Sequence, residues 1–292
     1  MDSIFEISNV NCSYDTVKTV LRIEQLNIRK GERVFFIGPS GIGKSTLLEL
    51  LGLMSNTLQN PNDAKLIFRP KIENGIDYCN LWKESDTIVS RVRKQNFSFI
   101  FQQTNLMSSL SNYENVLVSS LLEQEADFEK TKRFCKTAIG RVFNKGEISK
   151  INNKNSPKEL SGGQRQRLSF ARAVAKNFTV LFADEPTGNL DTFNASNTME
   201  QLSEIVQQTN ATSVIVSHDI PLSVKYADRL VFISFDTSKK CGFITKENIF
   251  EKDQKGIWLN ELGASVGVEL EMIDYLKKKF LNVVEEINKN FN

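Results

Sequence analysis

The segment that most constrains the fold is a glycine-rich loop at residues 38–45, with the sequence GPSGIGKS. It follows the apolar run RVFFI at 33–37 and leads into the helical pattern STLLELLGLM at 45–54. Glycines let successive backbone N–H groups converge on an anion, and a helix N-terminus adds partial positive charge. The pattern GxxxxGK[ST] between a strand and a helix therefore predicts a phosphate-binding loop in an α/β protein. There, Lys44 would reach the β- and γ-phosphates, and the Ser45 hydroxyl would be a Mg²⁺ ligand.

A second apolar run, TVLFA at 179–183, ends in the carboxylates Asp184 and Glu185. Ligands of parallel sheets bind at the carboxyl ends of the strands, so both acids are predicted beside a phosphate loop. Asp184 would hold Mg²⁺ through water, and Glu185 would orient and polarise the attacking water. Such a pair also often caps a following helix, but its position after a phosphate loop in the chain favours catalysis.

The segment LSGGQ at 160–164 introduces the helical pattern RQRLSFARAVA. A serine followed by two glycines is typical of a helix N-cap. It is also suited to a second anion site, with the Ser161 hydroxyl and the Gly163 N–H directed outward. One nucleotide does not need two such sites from one chain. The pair is therefore best explained if each copy completes the site of another.

Short apolar runs without alternation, separated by helical segments, predict a parallel sheet with crossover helices. We predict strands at 33–37, 97–101, 179–183, 213–217 and 230–234, and helices at 44–54, 163–176, 192–208 and 221–226. Residues 3–30 and 64–80 are typical of short antiparallel strands, residues 112–143 of helices, and the polar stretch 144–156 of a surface loop.

The C-terminal segment 266–291 predicts an amphipathic helix. Its apolar stripe would comprise Val266, Leu270, Ile273, Leu276, Phe280, Val284, Ile287 and Phe291. Such a stripe either packs against its own domain or docks to a second copy or a partner.

Composition excludes several classes of protein. The formal net charge is +2, whereas nucleic-acid-binding domains usually carry a strong basic excess, so no nucleic-acid partner is expected. The four cysteines form no CxxC pair, which favours free thiols over disulfides or zinc, and the only histidine, His218, rules out a His-cluster metal site. The N-terminus is not typical of a signal peptide, and no apolar stretch reaches the ~18–20 residues that span a bilayer. We therefore expect a cytoplasmic protein.

LSGGQ, the ARAVA that follows, the strand ending in Asp-Glu, and the segment PTGNLD at 186–191 together resemble the ABC ATPase family. The resemblance covers residues 3–235. It implies a P-loop NTPase of ABC type, α/β in class, with a mostly parallel core sheet, an antiparallel β lobe and an inserted α-helical lobe at about 104–160. Residues 236–292 would then form a C-terminal extension that carries the amphipathic helix.

The resemblance also implies roles for single residues, with ATP and Mg²⁺ as the ligands. Gln102 would contact Mg²⁺ and water, His218 the γ-phosphate, Asp191 the dimer seam, and the Tyr14 ring the adenine. The complete predicted set comprises the catalytic residues Glu185, His218 and Gln102; the nucleotide-binding residues Tyr14, Gly38, Pro39, Ser40, Gly41, Gly43, Lys44, Ser45, Thr46, Ser161, Gly162, Gly163, Gln164 and Asp191; and the Mg²⁺ ligands Ser45, Gln102 and Asp184.

In this family two copies form a head-to-tail sandwich with two ATP molecules at the seam, which implies a homodimer or a paired ABC ATPase. The segments EPTGNLD, FQQTNLM and LLELLGLM resemble, more narrowly, the subgroup of lipoprotein-releasing, macrolide-exporter and cell-division ATPases. The chain departs from that subgroup at SNTLQNPNDAK after LGLM, at LSF after LSGGQ, and in some 55 residues beyond the usual end.

The expected function is an ATP-hydrolysing subunit that dimerises on ATP and drives a separately encoded transmembrane permease-type subunit. Such a protein would be peripheral on the inner face of the cell membrane. The alternative is an ABC ATPase that signals through a membrane partner to cell-wall or division machinery. A soluble ABC protein acting on ribosomes or DNA is disfavoured, because neither a second ATPase domain nor an inserted coiled coil is present.

Overall fold

The computed structural model describes residues 2–15, 18–71, 75–121, 128–152, 156–188 and 190–291. The chain divides into two compact units. Unit 1 comprises Met1–Arg93 and Thr212–Asn292, and unit 2 comprises Lys94–Ala211. The predicted helical lobe at 104–160 lies in unit 2, while the predicted boundary between 235 and 236 falls inside unit 1.

The described residues form fourteen strands, and the five that were predicted end within about two residues of their expected bounds. The strands are β1 (Ser3–Cys12), β2 (Leu21–Arg29), β3 (Arg33–Ile37), β4 (Lys65–Phe68), β5 (Ile76–Asp77), β6 (Phe97–Ile100), β7 (Val180–Asp184), β8 (Thr212–Ser217), β9 (Arg229–Phe232), β10 (Ser234–Asp236), β11 (Cys241–Ile244), β12 (Ile249–Lys252), β13 (Trp258–Asn260) and β14 (Ser265–Gly267).

The described residues also form ten α-helices, and none of these helices is both long and apolar enough to cross a membrane. They are α1 (Lys44–Leu51), α2 (Tyr78–Leu81), α3 (Asp86–Asn96), α4 (Asn112–Leu121), α5 (Phe128–Val142), α6 (Lys145–Asn152), α7 (Gly162–Val174), α8 (Thr192–Thr209), α9 (Ile220–Tyr226) and α10 (Glu269–Phe291).

Unit 1 contains two sheets. One has the order β10-β11-β2-β1-β4-β5, and the strands of the other that lie in this unit have the order β14-β13-β12-β9-β3-β8. The central strand β3 pairs in parallel with β8, placing Phe35 opposite Ile215, and with β9, placing Phe35 opposite Leu230. These apolar runs are buried on both faces, as their lack of alternation predicts. The antiparallel pairing of β1 with β2 and β4 confirms the predicted β lobe.

Unit 2 is built from the parallel pair β6 and β7 and from helices. Phe99 lies opposite Phe182 in the strand pair, and their rings stack with centroids 5.5 Å apart. Helices α4 and α5 pack against each other and against α7. The predicted helical character of 112–143 is thus confirmed for the described residues, which do not include 122–127.

The prediction of a surface loop at 144–156 is wrong for its first part, because α6 occupies Lys145–Asn152. Asn144 caps this helix: its Oδ1 accepts from the Glu147 backbone N–H at 3.0 Å. Ile151, one of the few apolar residues in a polar stretch, is 1% exposed. A single buried apolar contact is too weak a pattern for sequence periodicity to detect.

The residues after 235 extend both sheets of unit 1. Strand β11 pairs in parallel with β2, and β12 pairs antiparallel with β9. Helix α10 packs against α9, β10 and β14, which is the first of the two alternatives that its apolar stripe left open. The predicted stripe is partly wrong: Val266 belongs to β14, Leu270 is 74% exposed, and Met272, Leu276 and Val283 are the buried residues. The side chain of Phe291 lies outside the description.

Candidate functional site

The loop between β3 and α1 has the backbone geometry of an anion-binding loop. Gly41 and Gly43 adopt positive φ angles of 77° and 103°. A Cβ atom at Gly43 would lie 2.9 Å from Leu21 Cβ, so only glycine fits both the conformation and the space. Helix α1 begins after Gly43 with no side-chain cap and no acidic residue in its first turn. Its first N–H groups are therefore placed to bind an anion.

Lys44 is 5% exposed and folds over this loop. Its Nζ donates to the carbonyl oxygens of Gly38 at 2.6 Å and Pro39 at 2.8 Å. These two hydrogen bonds hold the ammonium group at the loop, where it would contact a bound anion. Ser45 is exposed at the start of α1, as a ligand of a phosphate-bound ion requires.

Tyr14 is 60% exposed, and its hydroxyl donates to Glu49 Oε2 at 3.0 Å. Glu49 lies on α1, the helix that begins at the phosphate-binding loop. Burial, together with the neighbouring carboxylate, raises the pKa of the Tyr14 hydroxyl, so this group remains a donor at neutral pH. The sequence analysis did not predict a role for Glu49, because a glutamate five residues after Lys44 is not part of any motif identified there.

Gln102 and Glu185 are brought together in unit 2: Gln102 Nε2 donates to Glu185 Oε2 at 2.9 Å. Glu185 follows β7 directly and has a φ of 47°, an uncommon left-handed conformation for a residue with a side chain. A turn closes behind it, in which the Gly188 N–H donates to the Glu185 carbonyl at 3.1 Å. The buried Gln166 amide donates to the Pro186 carbonyl at 2.8 Å and links this turn to α7. Local strain of this kind concentrates at functional sites.

The segment at 160–164 forms the N-terminus of α7 as predicted. Ser161 Oγ accepts from the Gln164 backbone N–H at 3.3 Å, and Gln164 Oε1 accepts from the Ser161 N–H at 3.0 Å, which completes a capping box. Ser161 and Gly162 are exposed. A polar cavity of about 340 Å³ lies beside them, lined by Ser161, Gly163 and Asp191 among others.

Helix α6 supports this helix start through residues that sequence reasoning did not single out. Glu147 forms an ion pair with Arg167 at 2.7 Å and accepts from Gln164 Nε2 at 3.5 Å. The Arg167 guanidinium holds the pKa of the Glu147 carboxyl below its usual value. Because residues 144–156 were interpreted as a surface loop, the sequence analysis predicted no contact for Glu147, the only acidic residue in that stretch.

Asp191 and His218 lie at the ends of secondary-structure elements, whereas Ser40 lies in the loop after β3 and Thr46 lies within α1. Asp191 is the N-cap of α8, accepting from the Asn194 backbone N–H at 3.0 Å; this hydrogen bond lowers its pKa. Asn189 of the same segment lies outside the described residues. His218 is exposed directly after β8, and Asp219, which caps α9 through the Leu222 N–H at 2.9 Å, holds the turn that follows it.

The predicted Mg²⁺ ligands are all oxygen donors: the Ser45 hydroxyl, the Gln102 amide and the Asp184 carboxylate at the end of β7. No cluster of three or more His, Cys, Asp or Glu residues exists among the residues described. This set fits Mg²⁺, which usually binds few protein oxygens together with substrate phosphates and water. All four cysteines are free, as expected, and all four are buried.

An uncapped phosphate-binding loop after a parallel strand, with an acidic pair at the end of another strand, defines the class of P-loop ATPases. Residues 21–188 match the family model described as ABC transporter, which covers more than half of the chain. The chain belongs to this family and is an ATP-binding, ATP-hydrolysing subunit of the ABC transporter type.

Individual relatives agree with this assignment. The lipoprotein-releasing system ATP-binding protein LolD of Shewanella is 32% identical over 227 residues, covering 77% of this chain and 90% of LolD. This match confirms the predicted subgroup. ABC transporter H family member 2 of Dictyostelium discoideum is 31% identical over 258 residues, 87% of this chain, which spans only 47% of that relative. The dimeric structure of MJ0796, a bacterial ABC transporter cassette, is 26% identical with a TM-score of 0.62, covering 78% of this chain and 93% of that one.

Proposed function

We propose that this chain hydrolyses ATP with Glu185 as the group that activates water. The observation that carries the proposal is the hydrogen bond from Gln102 to Glu185 at a strained position directly after β7. Gln102 donates to one carboxylate oxygen, which orients the group and leaves lone pairs to accept a proton from water. As the oxygen of this water bonds to the γ-phosphorus, its proton would pass to Glu185, the bond from that phosphorus to the bridging oxygen would break, and ADP would leave.

The other predicted residues bind and orient the nucleotide. The N–H groups of 38–45 and the Lys44 ammonium stabilise the phosphate oxygens, and His218 contacts the γ-phosphate. Ser45, Gln102 and Asp184 would hold Mg²⁺, which when bound neutralises the charge of the β- and γ-phosphates. The Tyr14 ring, oriented by Glu49, stacks on the adenine.

A test of the catalytic assignment is Glu185→Gln, which keeps the shape of the side chain and its ability to accept from Gln102. Loss of a general base costs about 10²- to 10⁴-fold in kcat. We expect that loss with unchanged ATP affinity, measured by steady-state hydrolysis and by titration with a fluorescent ATP analogue. The control variant is Gln166→Glu, which perturbs the hydrogen bond to the Pro186 carbonyl but leaves Glu185 in place. It separates the effect of distorting the turn from the effect of losing the base. Near-normal hydrolysis by Glu185→Gln would refute the assignment.

We further propose that two copies form a dimer in which Ser161 and Gly163 of one chain complete the ATP site of the other. Support comes from the chain itself, which carries an anion-binding loop in unit 1 and an exposed, capped helix start in unit 2. A C₂ dimer uses both half-sites twice. The name of the MJ0796 structure, a dimeric cassette, agrees with this proposal.

Mixed dimers test the shared site. One chain carries Ser161→Arg and the other Lys44→Ala. If the sites are shared, both changes fall in the same ATP site, and the second site stays intact. We expect about half of the wild-type hydrolysis, whereas a dimer with both changes in one chain would lose both sites. Equal loss in the two arrangements would contradict the shared site.

The proposed partner is a separate transmembrane subunit, which would place the chain at the inner face of the membrane. Relatives named for lipoprotein release and for bacitracin export support transport, and signalling to cell-wall or division machinery is the alternative. Affinity purification of Glu185→Gln with ATP in mild detergent tests this. Recovery of a membrane protein with a large extracytoplasmic domain supports the proposal, and its further partners separate transport from signalling. Recovery of soluble chains alone would overturn the membrane partner but not the ATPase.

A further inference from the structure

Unit 2 contains a second cavity, of about 670 Å³, that no residue of the proposed ATP site lines. It lies between α5, the end of α7 and the segment that leads into β7. Its volume is within the range of about 300–1,000 Å³ that is common for small-molecule sites.

The charge of this cavity is one-sided. Lys130, Arg133, Arg141 and Lys176 line it, and no carboxylate is among the described residues that do so. Lys176 Nζ donates to the Lys94 carbonyl at 2.8 Å, which holds this side chain at the cavity. The whole chain carries a net charge of only +2, so four cations at one cavity are not a consequence of a basic composition. Such a cluster creates a local positive potential that attracts anions.

The arrangement of the cations follows from α5. Positions 130, 133 and 141 are separated by three and then eight residues, which places them on one face of the helix. The opposite face, which includes Cys135, Ile139 and Val142, is buried. The orientation of this basic face is therefore fixed by packing.

The cavity also has an apolar part. It is lined by Phe134 and Phe178, which are partly buried, and by Ala138 and Val174, which are buried. A bare inorganic anion would contact only the cations. A ligand that combines an anionic group with an apolar or aromatic body would use both parts of the wall.

The cavity is distinct from the proposed chemistry. Phe178 precedes β7, whereas Asp184 and Glu185 lie at the other end of that strand. A strand rises about 3.3 Å per residue, so the two ends of β7 lie roughly 13 Å apart. A ligand at the N-terminal end of β7 therefore does not replace the phosphates that Asp184 and Glu185 serve.

We propose that this cavity binds a phosphate monoester or diester attached to an apolar body, with Arg133 and Arg141 holding the phosphate and Phe134 and Phe178 contacting the body. Arginine is suited to this because its planar guanidinium donates two parallel hydrogen bonds to phosphate oxygens. Both a soluble organophosphate and the headgroup of an anionic phospholipid have this chemistry.

Two probes distinguish the sources, with the full chain saturated by ADP so that the loop at 38–45 is filled. Phenyl phosphate, titrated by calorimetry, tests a soluble ligand. Sedimentation with phosphatidylcholine vesicles, with and without phosphatidylglycerol, tests a lipid headgroup. Binding of either probe is expected to weaken about tenfold or more in the double variant Arg133→Gln and Arg141→Gln, because two charge-assisted contacts are lost.

The matched control neutralises two exposed lysines of α10, Lys277→Gln and Lys278→Gln, and should bind as the wild type does. An unchanged far-UV circular dichroism spectrum shows that both variants are folded. Binding of phenyl phosphate alone supports a soluble ligand, and binding to phosphatidylglycerol vesicles alone supports a lipid. The proposal is overturned if the wild type binds neither probe, if the control loses as much as the cavity variant, or if an acidic peptide binds while neither phosphate probe does.

Discussion

Arg229, at the start of β9, is a buried cation that contacts carboxylates from the segment after residue 235. Its side chain is 2% exposed. Nη1 donates to Glu261 at 2.8 Å and to the Asn27 carbonyl at 3.1 Å, Nη2 donates to Glu251 at 3.2 Å, and Nε lies 3.4 Å from Glu32. Two of these carboxylates belong to the C-terminal segment. We therefore expect Arg229→Met to destabilise unit 1 and to loosen that segment from the sheet.

The size of the effect depends on which carboxylates are left without their cation. Side chains of Glu251 and Glu261 are 37% and 22% exposed and can turn to water, and Glu251 also pairs with Arg29 at 2.8 Å. The Glu32 side chain cannot turn to water, because this residue is only 8% exposed. Removing one partner of a buried ion pair costs about 3–5 kcal/mol. Since only one of the three carboxylates is deeply buried, we expect Arg229→Met to lower the free energy of unfolding by about 3 kcal/mol, the lower end of this range.

Urea denaturation followed by tryptophan fluorescence measures this loss. The chain has 2 tryptophans, Trp82 and Trp258, and both lie in unit 1, so the signal reports on that unit alone. Burial already raises the pKa of Glu32, and Arg229 opposes this rise. Without Arg229 the folded-state pKa of Glu32 rises further above its unfolded value, so the folded state binds more protons and the loss of stability becomes smaller as the pH falls.

Two further variants decide whether the reasoning holds. Adding Glu32→Gln to Arg229→Met should recover at least about 1 kcal/mol, because the uncompensated buried charge is removed. Arg33→Met is the matched control: its pair with Asp228, at 2.6 Å, is 29% and 42% exposed, and its loss should cost less than about 1 kcal/mol. A cost of Arg229→Met below 1 kcal/mol, or no recovery with Glu32→Gln, would refute the argument.

Three smaller perturbations test unit 1. Arg69 and Lys65 lower the pKa of Glu6 from 4.5 to about 2. Glu6→Gln should therefore lower the free energy of unfolding by about 1 kcal/mol above pH 4.5. In urea titrations this difference should become smaller as the pH falls toward 2, because protonation of the wild-type carboxylate removes its stabilising contribution. Gly43→Ala should lower ATP affinity at least tenfold and stability by about 1–2 kcal/mol, because its φ is positive and the new Cβ meets Leu21; unchanged ATP titration would contradict the loop geometry. Tyr14→Ala should raise the KM for ATP about tenfold with little change in kcat, as loss of one stacking contact does. Glu49→Leu and Tyr14→Phe both keep the ring but remove the hydrogen bond that orients it, so each should reproduce part of that rise.

Features encoded by neighbouring residues could be predicted from the sequence. The loop at 38–45 needs only its glycines, Lys44 and the strand and helix on either side. The capping box of Ser161 and Gln164 spans three residues. The buried strands were recognisable because continuous apolar runs are unusual outside parallel sheets. The class of protein followed from these local patterns, and the family match confirms it.

Other features depend on contacts between distant residues. Gln102 and Glu185 are 83 positions apart, and only the pairing of β6 with β7 brings them together. The acidic partner of Arg167 lies 20 residues earlier, on a helix whose polar sequence favoured a loop. Periodicity locates an apolar stripe, but the neighbours of a helix decide which part of that stripe is buried. Hence Leu276 of α10 is buried and Leu270 is exposed.

The sequence alone predicted phosphate binding and water activation, because each prediction depends on residue types in a short segment with its own conformational preferences. Tertiary structure alone decided how the residues after 235 join unit 1, which residues Glu49 and Glu147 contact, and that four scattered cations line one cavity. These outcomes depend on which surfaces meet when the chain collapses, and no window of the sequence contains both sides of such a contact.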